Sequence, residues 1–423
     1  MDNSSKQPLT ATDKGHVRRL MIFLALVYLA EGLGQVSGLI NQPLNYYLKT
    51  VFGWSPDRIT EYLTVLTLPW VIKPVYGLIS DFIPLFGYRR KTYLFLSNLI
   101  AVGAYLWMTQ VTDSQQIIVA LVLTAFGMAA SSTLCGAVMV ENGKKYSLSG
   151  TFVNQQWLWF YIASVGTSFA GGWLAQHLSP AHAFHTAALI VAFAPIGVMF
   201  GCWFLIAEEK AQINMQALGL STKALFKTFK SRVLWVVGGF LFLYNFSPGF
   251  GTPLYFHMTD DLHFSQEFIG ILGAIGSIGS IIGAFVYMWL QKRMTLKALL
   301  NLSILLGIIS QGSYILLAGE TSAIVLGIIN GIFGMITLVA SLTLAADYCP
   351  DGSEGFAYAL LMSVNNLATQ LSANVGAIMY VKVFHYHLNP LIIVSAATTA
   401  LAFVLVPFLR LGNKMPGEKA KLD

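Results

Sequence analysis

The sequence predicts an all-α membrane protein with twelve transmembrane helices in two pseudo-symmetric six-helix halves. Three observations predict it. Only 10% of the 423 residues are charged and 56% are hydrophobic, whereas a soluble domain carries about 25% charged residues. Apolar runs long enough to cross roughly 30 Å of hydrocarbon as helices recur twelve times. Finally, 21 of the 25 lysines and arginines fall on the two tails and on alternate connections. That bias places both termini in the cytoplasm, and an odd number of spans would destroy it.

The chain begins with a polar tail, residues 1–19, that ends on Arg18-Arg19. It has neither a cleavable signal pattern nor a transit-like segment, so the first span is expected to be retained. Six spans follow, at 20–48, 59–79, 92–111, 116–140, 152–178 and 184–207, and form an amino-terminal half over 20–207. A central cytoplasmic loop, 208–232, mixes Lys223, Lys227 and Lys230 with Leu220, Leu225, Phe226 and Phe229. It reads either as a basic amphipathic helix on the membrane surface or as a solvated linker. The carboxy-terminal half, 233–411, holds spans at 233–258, 268–290, 296–317, 322–346, 356–384 and 391–411, before a cytoplasmic tail at 412–423. Spans one, five and eleven exceed the bilayer's need, so they are expected to tilt or to project.

The halves echo each other at a common offset. Pro43-Leu44 matches Pro253-Leu254, Gly77 matches Gly283, Glu141 matches Asp347, Gly150 matches Gly355 and Gly171 matches Gly376, all 205 to 210 positions apart. A shared offset argues for a duplicated six-helix unit, in which cargo sits between the halves near mid-membrane and rocking alternates its exposure.

The remaining composition excludes several classes. The net charge of +6 follows a membrane topology and gives no sign of nucleic acid. Cys135, Cys202 and Cys349 make no spaced pair, hence neither a disulfide framework nor a zinc site. His177, His182 and His185 near an external loop read as solvated histidines more readily than as a metal set. No nucleophile elbow, phosphate loop or HExxH occurs, no cofactor is implied, and the chain is not read as an enzyme. Gly273, Gly276, Gly279 and Gly283 thin one face of span eight and predict close helix packing.

Ionisable residues inside a membrane are costly and mark function by default. Glu31 lies twelve residues beyond Arg19, and Lys73 lies eight before Asp81, so both are deep. Lys73 is the candidate contact for an anionic cargo and Glu31 the candidate proton-coupling group. A structural ion pair between them is the alternative. Gln35, Gly38 and Gln42 share a helix face with Glu31. Asn366 and Gln370, on a face of span eleven with Tyr358, Met362 and Asn374, suit a heterocycle or amide, or else hydrogen-bond between helices. Trp70 offers a ring for stacking, and Trp157 and Trp159 fit an interfacial belt. Asp81, Arg89, Arg90 and Glu141, with Lys91, Lys144 and Lys145, read either as a cytoplasmic gate of charge pairs or as topogenic cations.

Pro69-Trp70, Ile72-Lys73-Pro74, Gly77-Leu78-Ile79-Ser80-Asp81 and Pro84-Leu85-Phe86-Gly87-Tyr88-Arg89-Arg90-Lys91 together resemble the signature of the folate–biopterin transporter family, within the major facilitator superfamily. Glu31-Gly32, Pro43-Leu44 with Tyr46-Tyr47-Leu48-Lys49, Val140-Glu141-Asn142-Gly143 and Gln156-Trp157 add to it. The resemblance covers much of the amino-terminal half. It implies transport of folates, pterins or a related anionic heterocycle, commonly by proton symport. The compact chain without a targeting segment suggests an inner membrane, and a monomer in the lipid bilayer is expected. One stretch departs: Ser131-Ser132-Thr133-Leu134-Cys135-Gly136 lacks the aspartates that the family implies in span four. A carrier for another organic solute therefore stays open, as does a lipid-handling or receptor protein.

Overall fold

The computed structural model describes residues 11–146, 149–211, 229–349, 354–409, 411 and 416. Nearly all of them are helical, in a succession of segments joined by short connections. Seven are long and apolar enough to cross a membrane by length and composition, namely Pro56–Phe82, Ser114–Met139, Pro180–Phe204, Gln266–Leu290, Leu296–Leu316, Glu320–Asp347 and Leu388–Leu409. We call the face that carries Ala11 and Leu409 the near face and the opposite one the far face. Residues 212–228, most of the central loop, and the side chains of Lys144 and Lys145 lie outside what is described.

Two spans that read as continuous are broken. Span one runs Ala11–Gly34 and resumes as Asn41–Thr50. Span seven runs Arg232–Asn245 and resumes as Gly251–Phe256, followed by a π-helical turn, His257–Asp261. In span seven, Pro248 and Gly249 explain the break, since proline lacks the donor and glycine resists helix. The breaks occupy matching places in the two halves, and each packs on the fifth helix of its own half. A Cβ added at Gly171 would stand 3.1 Å from the Leu39 carbonyl oxygen, and one at Gly376 would run into the Gly249 backbone. The recurrence of Gly171 and Gly376 thus has a packing cause.

Span two is segmented as well: Pro56–Leu63, a 3₁₀ turn at Thr64–Thr67, Leu68–Val71 and Lys73–Phe82. Pro74 removes a helical donor and crowds the carbonyl four residues back. The helix therefore restarts at Lys73, after Ile72. Span three is Lys91–Met108, span five Ser149–His177, span eight Gln266–Leu290 and span eleven Glu354–Ile378. Span four, Ser114–Tyr146, is the longest at 33 residues; it was not among the three that the sequence marks as overlong.

The halves meet where span two packs on span eleven and span five on span eight. The span-eight glycines serve both sides of that helix. A Cβ at Gly273 would lie 2.9 Å from the Ser168 Cβ on span five, and one at Gly283 would lie 2.9 Å from the Met335 Cβ on span ten. Apolar packing is split the same way. Toward the near face, one cluster around Phe23, Tyr28 and Phe152 and another around Tyr244, Tyr287 and Leu344 each belong to a single half. Toward the far face, Tyr255 and Phe256 of span seven join Tyr47, Trp54 and Phe184 in one cluster that crosses the seam. Large apolar side chains such as Phe193, Phe204 and Phe408 are mostly exposed on the outside of the bundle, as a lipid-facing surface requires.

Candidate functional site

Glu31 sits on the last turn before the break in span one and is 8% exposed. One carboxylate oxygen accepts from Gln35 Nε2 at 2.8 Å and from Ser132 Oγ at 3.2 Å. The other oxygen is buried with no hydrogen-bond partner among the described residues. Lys73 lies with its ammonium 4.4 Å from the Trp70 ring centroid, in a cation–π contact. The proline break between them places cation and ring three residues apart on one side of span two. Lys73 and Glu31 sense each other's charge, yet among the described residues the ion pairs are Lys49–Asp260, Arg90–Asp81, Arg90–Glu141 and His257–Asp261. The structure thus brings Glu31, Gln35, Trp70 and Lys73 together without a Glu31–Lys73 salt bridge.

The span-eleven amides divide. Gln370 donates to Thr64 Oγ1 at 3.2 Å, and Asn374 donates to the same oxygen at 2.8 Å. Both sit on the seam between the halves, in the interhelical role that polar side chains commonly take in membranes. Asn366 is half-buried one turn nearer the near face, with no hydrogen-bond partner among the described residues. Trp157 stacks on Tyr161, and the Trp159 indole donates to Gln155 at 3.1 Å. The histidine nitrogens are engaged locally: His185 with the Val111 carbonyl at 3.0 Å, His177 with the Trp173 carbonyl at 3.0 Å and His182 with Ser179 at 2.6 Å.

The near-face cluster forms around one arginine. The Arg90 guanidinium is buried and reaches Ser80 Oγ at 2.5 Å, Glu141 at 2.7 Å, and Asp81. It ties the end of span two and the start of span three to span four, all within one half. Glu208, at the end of span six, accepts the backbone N–H groups of Arg89 at 2.6 Å and of Arg90 and Lys91 at 2.9 Å. A carboxylate there satisfies the open amides at the start of span three. The Arg89 side chain is exposed and forms no ion pair among the described residues. Arg90→Ala is therefore expected to destabilise the protein by about 1–3 kcal/mol, the worth of hydrogen bonds to a charged group. Arg89→Ala is expected to leave the thermal midpoint unmoved, and a thermal-shift comparison of the two checks this.

Sequence reading missed three contributors. Ser132 was visible as a polar residue in the acid-free stretch of span four, but nothing local says that it meets Glu31. Thr64 was hidden in an apolar run. Lys49 stood in the sequence only as the end of a motif, while its partner Asp260 lies 211 residues away.

The sequence profile of the BT1 family matches residues 33–411. The chain is 27% identical to the folate-biopterin transporter of Synechocystis sp. (strain ATCC 27184 / PCC 6803 / Kazusa), an alignment that covers 92% of this chain and 81% of that protein. It is 26% identical to folate transporter 1 of Plasmodium falciparum (isolate 3D7), over 93% and 78% of the two chains. Among solved structures, a D-xylose-proton symporter aligns with a TM-score of 0.72 at 13% identity, over 96% of this chain and 100% of that one. The nucleoside transporter NupG aligns with a TM-score of 0.66 at 16% identity, over 93% and 98%. At such identities these structures speak to the fold, which is that of the major facilitator superfamily. The chain is a multi-pass membrane protein and belongs to the BT1 family, the group of folate–biopterin transporters that its span-two motif resembles.

Proposed function

We propose that the protein is a secondary active transporter for folates, pterins or a related anionic heterocycle, driven by a proton gradient through alternating access. The observation that carries the reading is the deep Glu31 with one unpartnered oxygen beside a lysine that is not salt-bridged to it. The names of its relatives support the cargo class. Lys73 meets the carboxylate or electron-rich ring oxygen of the cargo. Trp70, Gln35 and Asn366 shape the site, and Gln370 borders it on the seam. Glu31 takes up the proton beside the anion site. The halves 20–207 and 233–411 rock about this site, with both termini and the Arg90 cluster in the cytoplasm and the protein acting as a monomer in the inner membrane. The acid-free stretch Ser131–Gly136 favours, as a second reading, a carrier for another organic solute.

The test is uptake of labelled folic acid into proteoliposomes, with and without an inward proton gradient. Gradient-stimulated uptake that is lost in Glu31→Gln is expected. Uptake indifferent to the gradient would remove Glu31 as the coupling group. Absence of uptake by folded protein would point to the second reading.

A further inference from the structure

We propose that the far-face cluster centred on Lys49 and Gln42 is a latch between the halves, and that its rupture sets how often the site opens to that side. The proposal rests on the alternating-access reading above. Lys49, at the end of span one, donates to Thr259 Oγ1 at 2.5 Å, pairs with Asp260 and lies 4.4 Å from the Phe256 ring centroid. All three partners belong to span seven, in the other half. Two turns earlier, Gln42 donates to the Gln266 backbone carbonyl at 2.6 Å and to its side-chain oxygen at 2.9 Å. The Tyr255 hydroxyl donates to the same side-chain oxygen at 3.0 Å, and the Gln266 N–H is taken by Gln176 at 2.9 Å. Spans one and five are thereby fastened to spans seven and eight.

Three features distinguish a latch from ordinary scaffold. The ties cross the seam at one mouth, where the apolar cluster around Tyr47 and Phe256 also crosses it, whereas the near-face clusters stay within their own halves. The Arg90 triad likewise joins residues of one half, so the halves can separate without breaking it. Lys49 is 17% exposed and Asp260 53% exposed. The pair sits close to water and can be rehydrated on opening without the penalty of a fully buried charge. Thr259 and Asp260 also stand on the π-helical turn His257–Asp261, a widened turn of the kind that recurs at functional positions.

The test needs no cargo. Spin labels at Thr112→Cys and Glu320→Cys, on far-face turns of the two halves, report the width of the mouth by pulsed electron paramagnetic resonance, in a chain whose three native cysteines are replaced. Lys49→Ala and Asp260→Asn are each expected to raise the long-distance population about tenfold, equivalent to about 1.4 kcal/mol. The exchange Lys49→Asp with Asp260→Lys is expected to restore the parental distribution. Gln42→Ala, which leaves the charges intact, is expected to shift it in the same direction. Unchanged distances in these single variants, in protein with the parental size-exclusion profile, would overturn the latch. Failure to move folate while the distances shift would count against the proposed function and leave the latch standing.

Discussion

Lys73→Ala is expected to reduce folate uptake at least about thirtyfold while the protein reaches the membrane in parental amount. A hydrogen bond to a charged group contributes about 1.5–3 kcal/mol, and more when the other partner is left buried and unpaired. Among the described residues, no carboxylate forms an ion pair with Lys73. Alanine deletes the charge and also uncovers the Trp70 face on which the ammonium rests. Lys73→Met keeps the packing of the stem and loses only the charge, so it is expected to transport as poorly as alanine. Lys73→Arg is expected to recover part of the rate, because a planar fork cannot place its charge where a compact ammonium sits. Initial rates in proteoliposomes, normalised to protein recovered, decide the matter. Unchanged uptake in Lys73→Met would take Lys73 out of the site.

A valine in place of Gly376 is expected to prevent folding outright, with a loss above roughly 4 kcal/mol, the range reserved for severe core overlap. The backbone of span eleven lies directly against the broken segment of span seven, where the Gly249 N–H donates to the Ser372 carbonyl at 2.9 Å. A side chain at 376 meets that backbone, which cannot rotate away as a side-chain end could. Gly77 provides the control, because a Cβ there meets nothing within 4 Å. Gly77→Ala is expected to be neutral or to gain up to about 1 kcal/mol from the lower entropy of its unfolded chain. Detergent-extracted yield and monodispersity separate the two variants.

These glycines show what could be read from the chain and what could not. The common offset of Gly171 and Gly376 pointed to a repeat, and the two do the same job against the broken first helix of each half. Gly77 and Gly283 share that offset but not a role, since one faces open space and the other presses on span ten. Apolar run length and charge bias made the helical, membrane-spanning class legible because both are local properties of a chain in a bilayer. The breaks in spans one and seven were not legible, because apolar flanks on either side mask a few unwound residues. In the site, Glu31 and Lys73 stood out by cost alone: charge is rare at that depth. Ser132, Thr64 and the Lys49–Asp260 pair did not, because their meaning lies in partners 101 to 310 residues away. Of those, Ser132 is the nearest to being readable, as a hydroxyl where the family resemblance leads one to look for an acid.

The proline break at Ile72 has a mechanical corollary. From Lys73 to Phe82, span two is a stiff rod whose first residue carries the ammonium and whose far end, at Asp81, is clasped by Arg90. Eight residues separate the two charges, about 12 Å of helix. A tilt of about 10° around the break displaces one end by roughly 2 Å relative to the other, from the same helical rise. Because the pivot adjoins Lys73, such a tilt swings Asp81 and its Arg90 clasp while the ammonium stays close to the hinge, so a pull on the arginine reorients the rod around the lysine.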